Sequence, residues 1–131
     1  MSNIPDNLKY TKTHEWVKQN DDGTLSMGIT DHAQDLLGDL VFIDLHASGE
    51  QIDASNECAV VESVKAASDV YMPISGEIVE ANSALGDTPE IVNQDPYGDG
   101  WMLKIKPGDA NAFASLMDAN AYQAFIDSED H

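Results

Sequence analysis

At 131 residues, 14.2 kDa and 42% hydrophobic residues, the chain is the size of one domain with a real core. Its net charge of −18, built on six lysines and no arginine, excludes nucleic-acid phosphates and anionic membrane surfaces as partners. No run approaches the ~18 to 20 apolar residues of a membrane span. Met1-Ser-Asn-Ile-Pro5 also lacks the basic start and apolar stretch of a signal peptide, so the expectation is a soluble, monomeric protein of a bacterial-type cytoplasm.

In chain order, Tyr10 to Gln19 and Thr24 to Ile29 are strand-like and flank the turn cluster Asn20-Asp-Asp-Gly23, which predicts a hairpin. Asp31-His-Ala-Gln34 has the form of a capping box and Gly38 supplies a stop, which predicts a short helix between them. Leu40 to Leu45, Cys58 to Val64, Ala67 to Met72, Gly76 to Ala81 and Trp101 to Ile105 read as further strands. Such short strands, with one short helix among them, favour an antiparallel sandwich or barrel over a doubly wound sheet. Gly38-Asp-Leu-Val41 and Gly76-Glu-Ile-Val79 share a pattern of glycine, acid, aliphatic and valine, a faint internal echo.

Beyond Pro107-Gly-Asp109 the character changes. Asp109-Ala-Asn-Ala-Phe113 is nearly repeated as Asp118-Ala-Asn-Ala-Tyr122, and each Asp can cap a helix. Phe113, Leu116 and Met117, then Tyr122, Phe125 and Ile126, recur at helical spacing. Residues 109–127 are therefore expected to form short helices packed on the sheet, with the tail Asp127-Ser-Glu-Asp-His131 frayed.

Resident catalysis finds no support in the sequence. There is no Gly-x-Ser-x-Gly elbow, Walker-type loop or dinucleotide fingerprint. His14, His32, His46 and His131 lack ligand spacing, and the single Cys58 can complete neither a thiolate zinc site nor an intrachain disulfide. Cys58 opens a strand and reads as a small buried apolar residue. Trp16, Trp101 and His14 read as structural.

Lys65 is different, because it is the only lysine or arginine between Gln19 and Leu103 in a stretch rich in carboxylates. The apolar, β-branched runs on either side meet at Lys65-Ala66, which predicts a hairpin with Lys65 at its tip. Neither Asn-Gly nor Asp-Gly occupies the turn, so a turn of the type I variety is compatible with the sequence. A lysine presented this way is either a solubilising charge or an amine that a modifying enzyme can reach.

The surrounding residues decide between these readings. Glu62-Ser-Val-Lys-Ala-Ala-Ser-Asp69, followed by Tyr71-Met-Pro-Ile-Ser-Gly-Glu77, closely resembles the lipoyl-attachment hairpin of the glycine cleavage system H proteins. Thr13-His-Glu-Trp16, Gly28-Ile-Thr-Asp-His-Ala-Gln-Asp35, Gly38-Asp-Leu-Val-Phe42 and Asp95-Pro-Tyr-Gly-Asp-Gly-Trp-Met102 are similar to the family pattern, in the family's order.

The resemblance implies a lipoyl-domain-like barrel-sandwich hybrid, mainly β, with residues 1–131 forming a single carrier domain. It implies lipoate covalently attached to Lys65, and a carrier that is not itself an enzyme. The carrier would shuttle the aminomethyl group of glycine from a pyridoxal-phosphate glycine decarboxylase (P protein) to a tetrahydrofolate-dependent aminomethyltransferase (T protein). A dihydrolipoamide dehydrogenase (L protein) would then reoxidise it. Glu15 and Asp69, in the matched motifs, are the expected arm-docking carboxylates; Glu62 and Gly76 match the positions that lipoylating enzymes use as handles. Gly76 also suits a close backbone approach at a strand start.

An alternative is an H-like relay that donates lipoate to 2-oxoacid dehydrogenases. A biotin carrier fits less well, since that family brackets its lysine with methionines and Val64 and Ala66 flank this one. One departure concerns His46, which stands after Leu45 where the family commonly carries proline, so this loop lacks that source of rigidity.

Overall fold

The computed structural model describes residues 4–129. Among the described residues nine strands form two antiparallel sheets. β1 (Lys9–Tyr10), β2 (Glu15–Gln19), β3 (Leu25–Ile29), β9 (Leu103–Pro107), β8 (Gly76–Ala81) and β5 (Gln51–Ile52) lie in that spatial order in one sheet. β4 (Leu40–Leu45), β6 (Glu57–Ser63) and β7 (Ala67–Tyr71) make the other. Val17, Met27, Ile43, Val61, Val70, Ile78, Leu103 and Ile105 are among the residues of the main buried core. No helix of the described residues is long and apolar enough to cross a membrane.

The first hairpin forms around Asn20–Gly23 as expected, with Val17 opposite Met27. Its outer arm is not one strand from Tyr10 to Gln19. Thr11–His14 turns back, with His14 at φ 70° and its amide donating to Thr11 O at 3.2 Å, so that Tyr10 pairs with Trp16. Leu8, Tyr10, Trp16, Tyr122 and Ile126 form a second buried cluster here, and Tyr10 stacks on Tyr122 with ring centroids 4.7 Å apart. Trp16 is a core residue whose Nε1 donates to Pro96 O at 2.8 Å.

Helix α1 (Asp31–Leu37) lies where expected, but its cap is Thr30, one residue before Asp31. The Thr30 hydroxyl accepts the Ala33 amide at 3.2 Å, while Gln34 Nε2 donates to Asp31 Oδ1 at 2.7 Å. Gly38 ends the helix at φ 85°, a conformation that glycine adopts without the steric cost of a Cβ.

Two further four-residue helices, α2 (Ala84–Asp87) and α3 (Ile91–Gln94), connect β8 to β9. Ser83 and Glu90 make no side-chain cap bonds; at α2 the Ala84 amide donates instead to Asn82 Oδ1 at 3.3 Å, one residue earlier. The last strand starts at Leu103, not Trp101, because the 95–101 turn carries Gly100 N–H to Asp95 O and Trp101 N–H to Gly98 O.

The C-terminal segment comprises a 3-10 helix at Ala110–Ser115, capped by Asp109, and α4 (Ala119–Glu129), where Asp118 Oδ1 accepts the Ala121 amide at 2.8 Å. Phe113 and Leu116 pack on the main core; Met117, Tyr122, Phe125 and Ile126 belong to the second cluster. α4 continues through Glu129, further than a tail frayed from Asp127 would allow; Asp130 and His131 lie outside the described residues.

The two copies of the sequence echo open strands in different sheets, β4 and β8. Their glycines do different work. Gly38 caps a helix, whereas a Cβ on Gly76 would stand 2.5 Å from Lys106 O and 2.7 Å from Ile105 Cγ2.

Candidate functional site: the β6–β7 hairpin and its cleft

β6 and β7 pair with Glu62 opposite Ala67 and Val61 opposite Ser68, which leaves Val64-Lys65 at the apex between Ser63 and Ala66. Both apical residues have negative φ, so the turn belongs to the unprimed family. Ser63 holds it closed. Its amide donates to Ala66 O at 2.8 Å, and its hydroxyl oxygen accepts the Lys65 and Ala66 amides, each at 3.1 Å. The role of Ser63 was not read from sequence, although a serine at the first turn position is a recognisable turn signal.

Lys65 is exposed, and none of the described residues makes an ion pair with it. Its stem lies over the cap of α1: a Cβ on Gly38 would be 3.3 Å from Lys65 Cε. The apex is fixed to the same corner by Val64 N–H, which donates to Asp39 O at 3.1 Å. Val64 is 69% exposed, and Phe42, opposite Glu62 across the strand pair, is 49% exposed. Glu62 itself is exposed beside the apex.

From the apex β7 runs along a cleft of about 140 Å³ between the turn at Thr13–Glu15, helix α1 and the strand itself. Its apolar wall comes from Ile29, Ala33, Leu36, Leu37, Val61 and Val70. Thr13, His14, Glu15, Ser68 and Asp69 supply the polar groups. Ser68 lies three residues past Lys65, about 10 Å of extended strand. The two carboxylates singled out from sequence, Glu15 and Asp69, thus line one cleft. The α1 leucines were not anticipated as its wall.

The two carboxylates are not equivalent. Asp69 is exposed at the rim, whereas Glu15 is 1% exposed and built into the wall. Glu15 Oε1 accepts hydrogen bonds from the hydroxyls of Thr11, at 2.5 Å, and Thr13; Oε2 accepts Tyr71 N–H at 3.3 Å. Burial raises the pKa of Glu15 from 4.5 to about 7, against the lowering effect of these three donors. At neutral pH its charge is therefore poised between the two states.

His14 sits beside Glu15 as a structural residue, its Nδ1 2.7 Å from the Tyr122 hydroxyl. Cys58 is fully buried, and burial, with the Glu15 and Glu57 charges, pushes its thiol up to about 12. It behaves as the small apolar residue the sequence predicts. His46 places its ring between Glu50, 3.1 Å from Nδ1, and Glu57, 3.2 Å from Nε2. Its amide also donates to Cys58 O at 3.1 Å, a bond that proline could not make. The 46–50 loop is thus held by side-chain contacts in place of a fixed proline φ. Among the described residues no three histidine, cysteine or acidic side chains gather as a metal site.

The family model for the glycine cleavage H-protein matches residues 8–129. A glycine cleavage system H protein of Cronobacter sakazakii is 57% identical over 129 residues, 98% of this chain and 100% of that protein. One from Alkalilimnicola ehrlichii is 55% identical over 130 residues, 99% of this chain and 100% of its own length. The crystal structure of a glycine cleavage system H protein from Mycobacterium marinum is similar with a TM-score of 0.84 and 37% identity, covering 98% of this chain and 100% of that one. The chain therefore belongs to the glycine cleavage H-protein family, the non-catalytic lipoyl-carrier subunit of the glycine cleavage system.

Proposed function

We propose that Lys65 carries lipoate in amide linkage and that residues 1–131 act as one carrier domain. The domain presents this arm in turn to glycine decarboxylase, aminomethyltransferase and dihydrolipoamide dehydrogenase. The observation that carries the reading is the exposed amine at an apex whose strand leads into a cleft bearing Glu15 and Asp69.

The bound group would supply a redox-active disulfide and a sulfur that accepts the aminomethyl cargo, functions that the buried Cys58 cannot provide. The chain supplies the rest. Lys65 tethers the group and keeps it at high effective concentration near a docked enzyme. Ile29, Ala33, Leu36 and Leu37 offer an apolar bed that excludes water from the arm. Asp69 meets the cationic end of the cargo at the rim, and Glu15 acts from the wall. An ammonium in the cleft favours the ionised form of Glu15, so docking is linked to release of its proton.

Glu62 and Gly76 serve the lipoylating enzymes differently. Exposed Glu62 can be touched by an enzyme, while buried Gly76 acts by letting β8 approach β9 closely.

The test is the intact mass of protein purified from lipoate-competent cells, followed by carbon dioxide exchange with glycine and decarboxylase. A lipoyl increment that maps to Lys65 and vanishes in Lys65→Arg is expected, with loss of exchange. An increment that survives the substitution, or full turnover without it, defeats the reading.

A further inference from the structure

Asn93, on α3, is distant in sequence from the hairpin, yet it closes the corner on which the apex rests. Its Nδ2 donates to Gly38 O at 2.9 Å and to Gln34 Oε1 at 2.9 Å; its Oδ1 accepts Leu40 N–H at 2.9 Å. The orientation of this amide is dictated by its partners, because a backbone carbonyl can only accept and a backbone N–H can only donate. One side chain thus spans the last turn of α1, its glycine cap and the first residue of β4.

Everything that seats the apex passes through that corner. Asp39 lies between the two backbone groups that Asn93 holds, and its carbonyl accepts Val64 N–H. Among the described residues this is the only hydrogen bond that Val64, Lys65 and Ala66 make outside their own hairpin. Gly38, whose carbonyl Asn93 binds, lies under the Lys65 stem. The Ser63 bonds close the turn on itself, whereas the Val64–Asp39 bond ties it to the body of the fold and so opposes fraying of the hairpin end.

We propose that Asn93 is a positioning residue for Lys65, holding the Gly38–Leu40 corner so that the apex stays in the geometry a modifying enzyme accepts. The inference rests on the reading of Lys65 as the attachment point. Removing the amide leaves the fold in place and lowers the fraction of molecules with a seated apex. An enzyme that selects the seated form then shows a raised KM at unchanged kcat.

The test compares Asn93→Ala and Asn93→Asp with Ile105→Val, a remote core change in β9 that provides a stability control. Asn93→Asp keeps the acceptor for Leu40 N–H and loses both donations, so it remains informative if the alanine variant fails to fold. Amide exchange at Val64, relative to exchange across the β2–β3 pair, is expected to rise about tenfold in the Asn93 variants and to stay at the wild-type ratio in the control. With a lipoate ligase, KM for the carrier should rise about three- to tenfold while kcat holds. An exchange ratio or KM no different from the control's overturns the proposal. A wild-type protein that takes no lipoyl group on Lys65 would overturn the functional reading instead, and the exchange ratio would still decide the role of Asn93.

Discussion

Glu15 Oε2 accepts the backbone N–H of Tyr71 at 3.3 Å, so a carboxylate rooted in the six-stranded sheet terminates the free edge of the three-stranded one. The same carboxylate takes two threonine hydroxyls from the turn that precedes it. One side chain therefore joins turn, cleft wall and hairpin, and its protonation state affects all three.

Glu15 makes stability depend on pH in a direction opposite to that of an ordinary paired carboxylate. Its folded pKa, about 7, lies above the usual 4.5, so the folded state binds the proton more tightly. The associated stability is complete below pH 4.5 and is lost as pH rises through 7. A shift of this size corresponds to at most about 3 kcal/mol. In urea titrations, the wild type should lose stability relative to Glu15→Gln between pH 4.5 and 8. A difference between the two proteins that does not change with pH would show that Glu15 is not the titrating group.

The His46 bridge has its own window. Hydrogen bonding to Glu50, aided by Glu57, raises the pKa of His46 above 6.5 against the effect of desolvation. Its contribution is full below 6.5 and fades as pH rises through the folded value; that of Glu50, whose pKa is lowered, is full above 4.5 and fades as pH falls. The Tm difference between wild type and His46→Ala should therefore be largest near pH 5.5 and shrink by pH 8. If it is largest at pH 8, the ring is not held as a cation by these carboxylates.

Much of the site was legible because its signals are local. Two apolar runs meeting at Lys65 announce the hairpin whatever surrounds it, and Asn20–Gly23 and Gly38 mark turn and helix end in the same way. What escaped depends on contacts between distant segments. Glu15 becomes a buried, proton-sharing group only because Thr11–His14 folds back on β2 and β7 lies across it. α3 carries no side-chain cap to announce it, and Asn93 has meaning only once α3 is seated beside Gly38. Thr30 outcompetes Asp31 as the cap because its extended backbone leaves its hydroxyl facing the Ala33 amide.

Gly76 separates a packing role from a recognition role. A methyl group there meets backbone at 2.5 Å, and neither β8 nor β9 can yield without disturbing the core below Ile78 and Ile105. Gly76→Ala should cost about 1 to 3 kcal/mol by overpacking. Lipoylation should fall only as far as stability does, so at a temperature where the variant is fully folded, kcat/KM with a lipoate ligase should be within about twofold of wild type, a difference of under 0.5 kcal/mol. A larger deficit in a fully folded variant would mean that the enzyme reads this position directly.

Asp69 and Glu15 should contribute to arm docking in two different ways, one from the exposed rim and one from the buried wall. Asp69 is exposed at the cleft rim, and an exposed pair with the cargo's cationic end is worth about 0.2 to 1 kcal/mol. Asp69→Asn should therefore shorten the lifetime of the aminomethyl-loaded carrier, followed by formaldehyde release, by about two- to fivefold. Glu15 must lose its proton before it can attract the same ammonium, so wild-type protection should weaken as pH falls through about 7. That pH dependence should persist in Asp69→Asn and disappear in Glu15→Gln, because it belongs to Glu15, whose pKa burial raises to about 7. A lifetime profile in Glu15→Gln that still bends near pH 7 would assign the titration to another group and remove Glu15 from the dock.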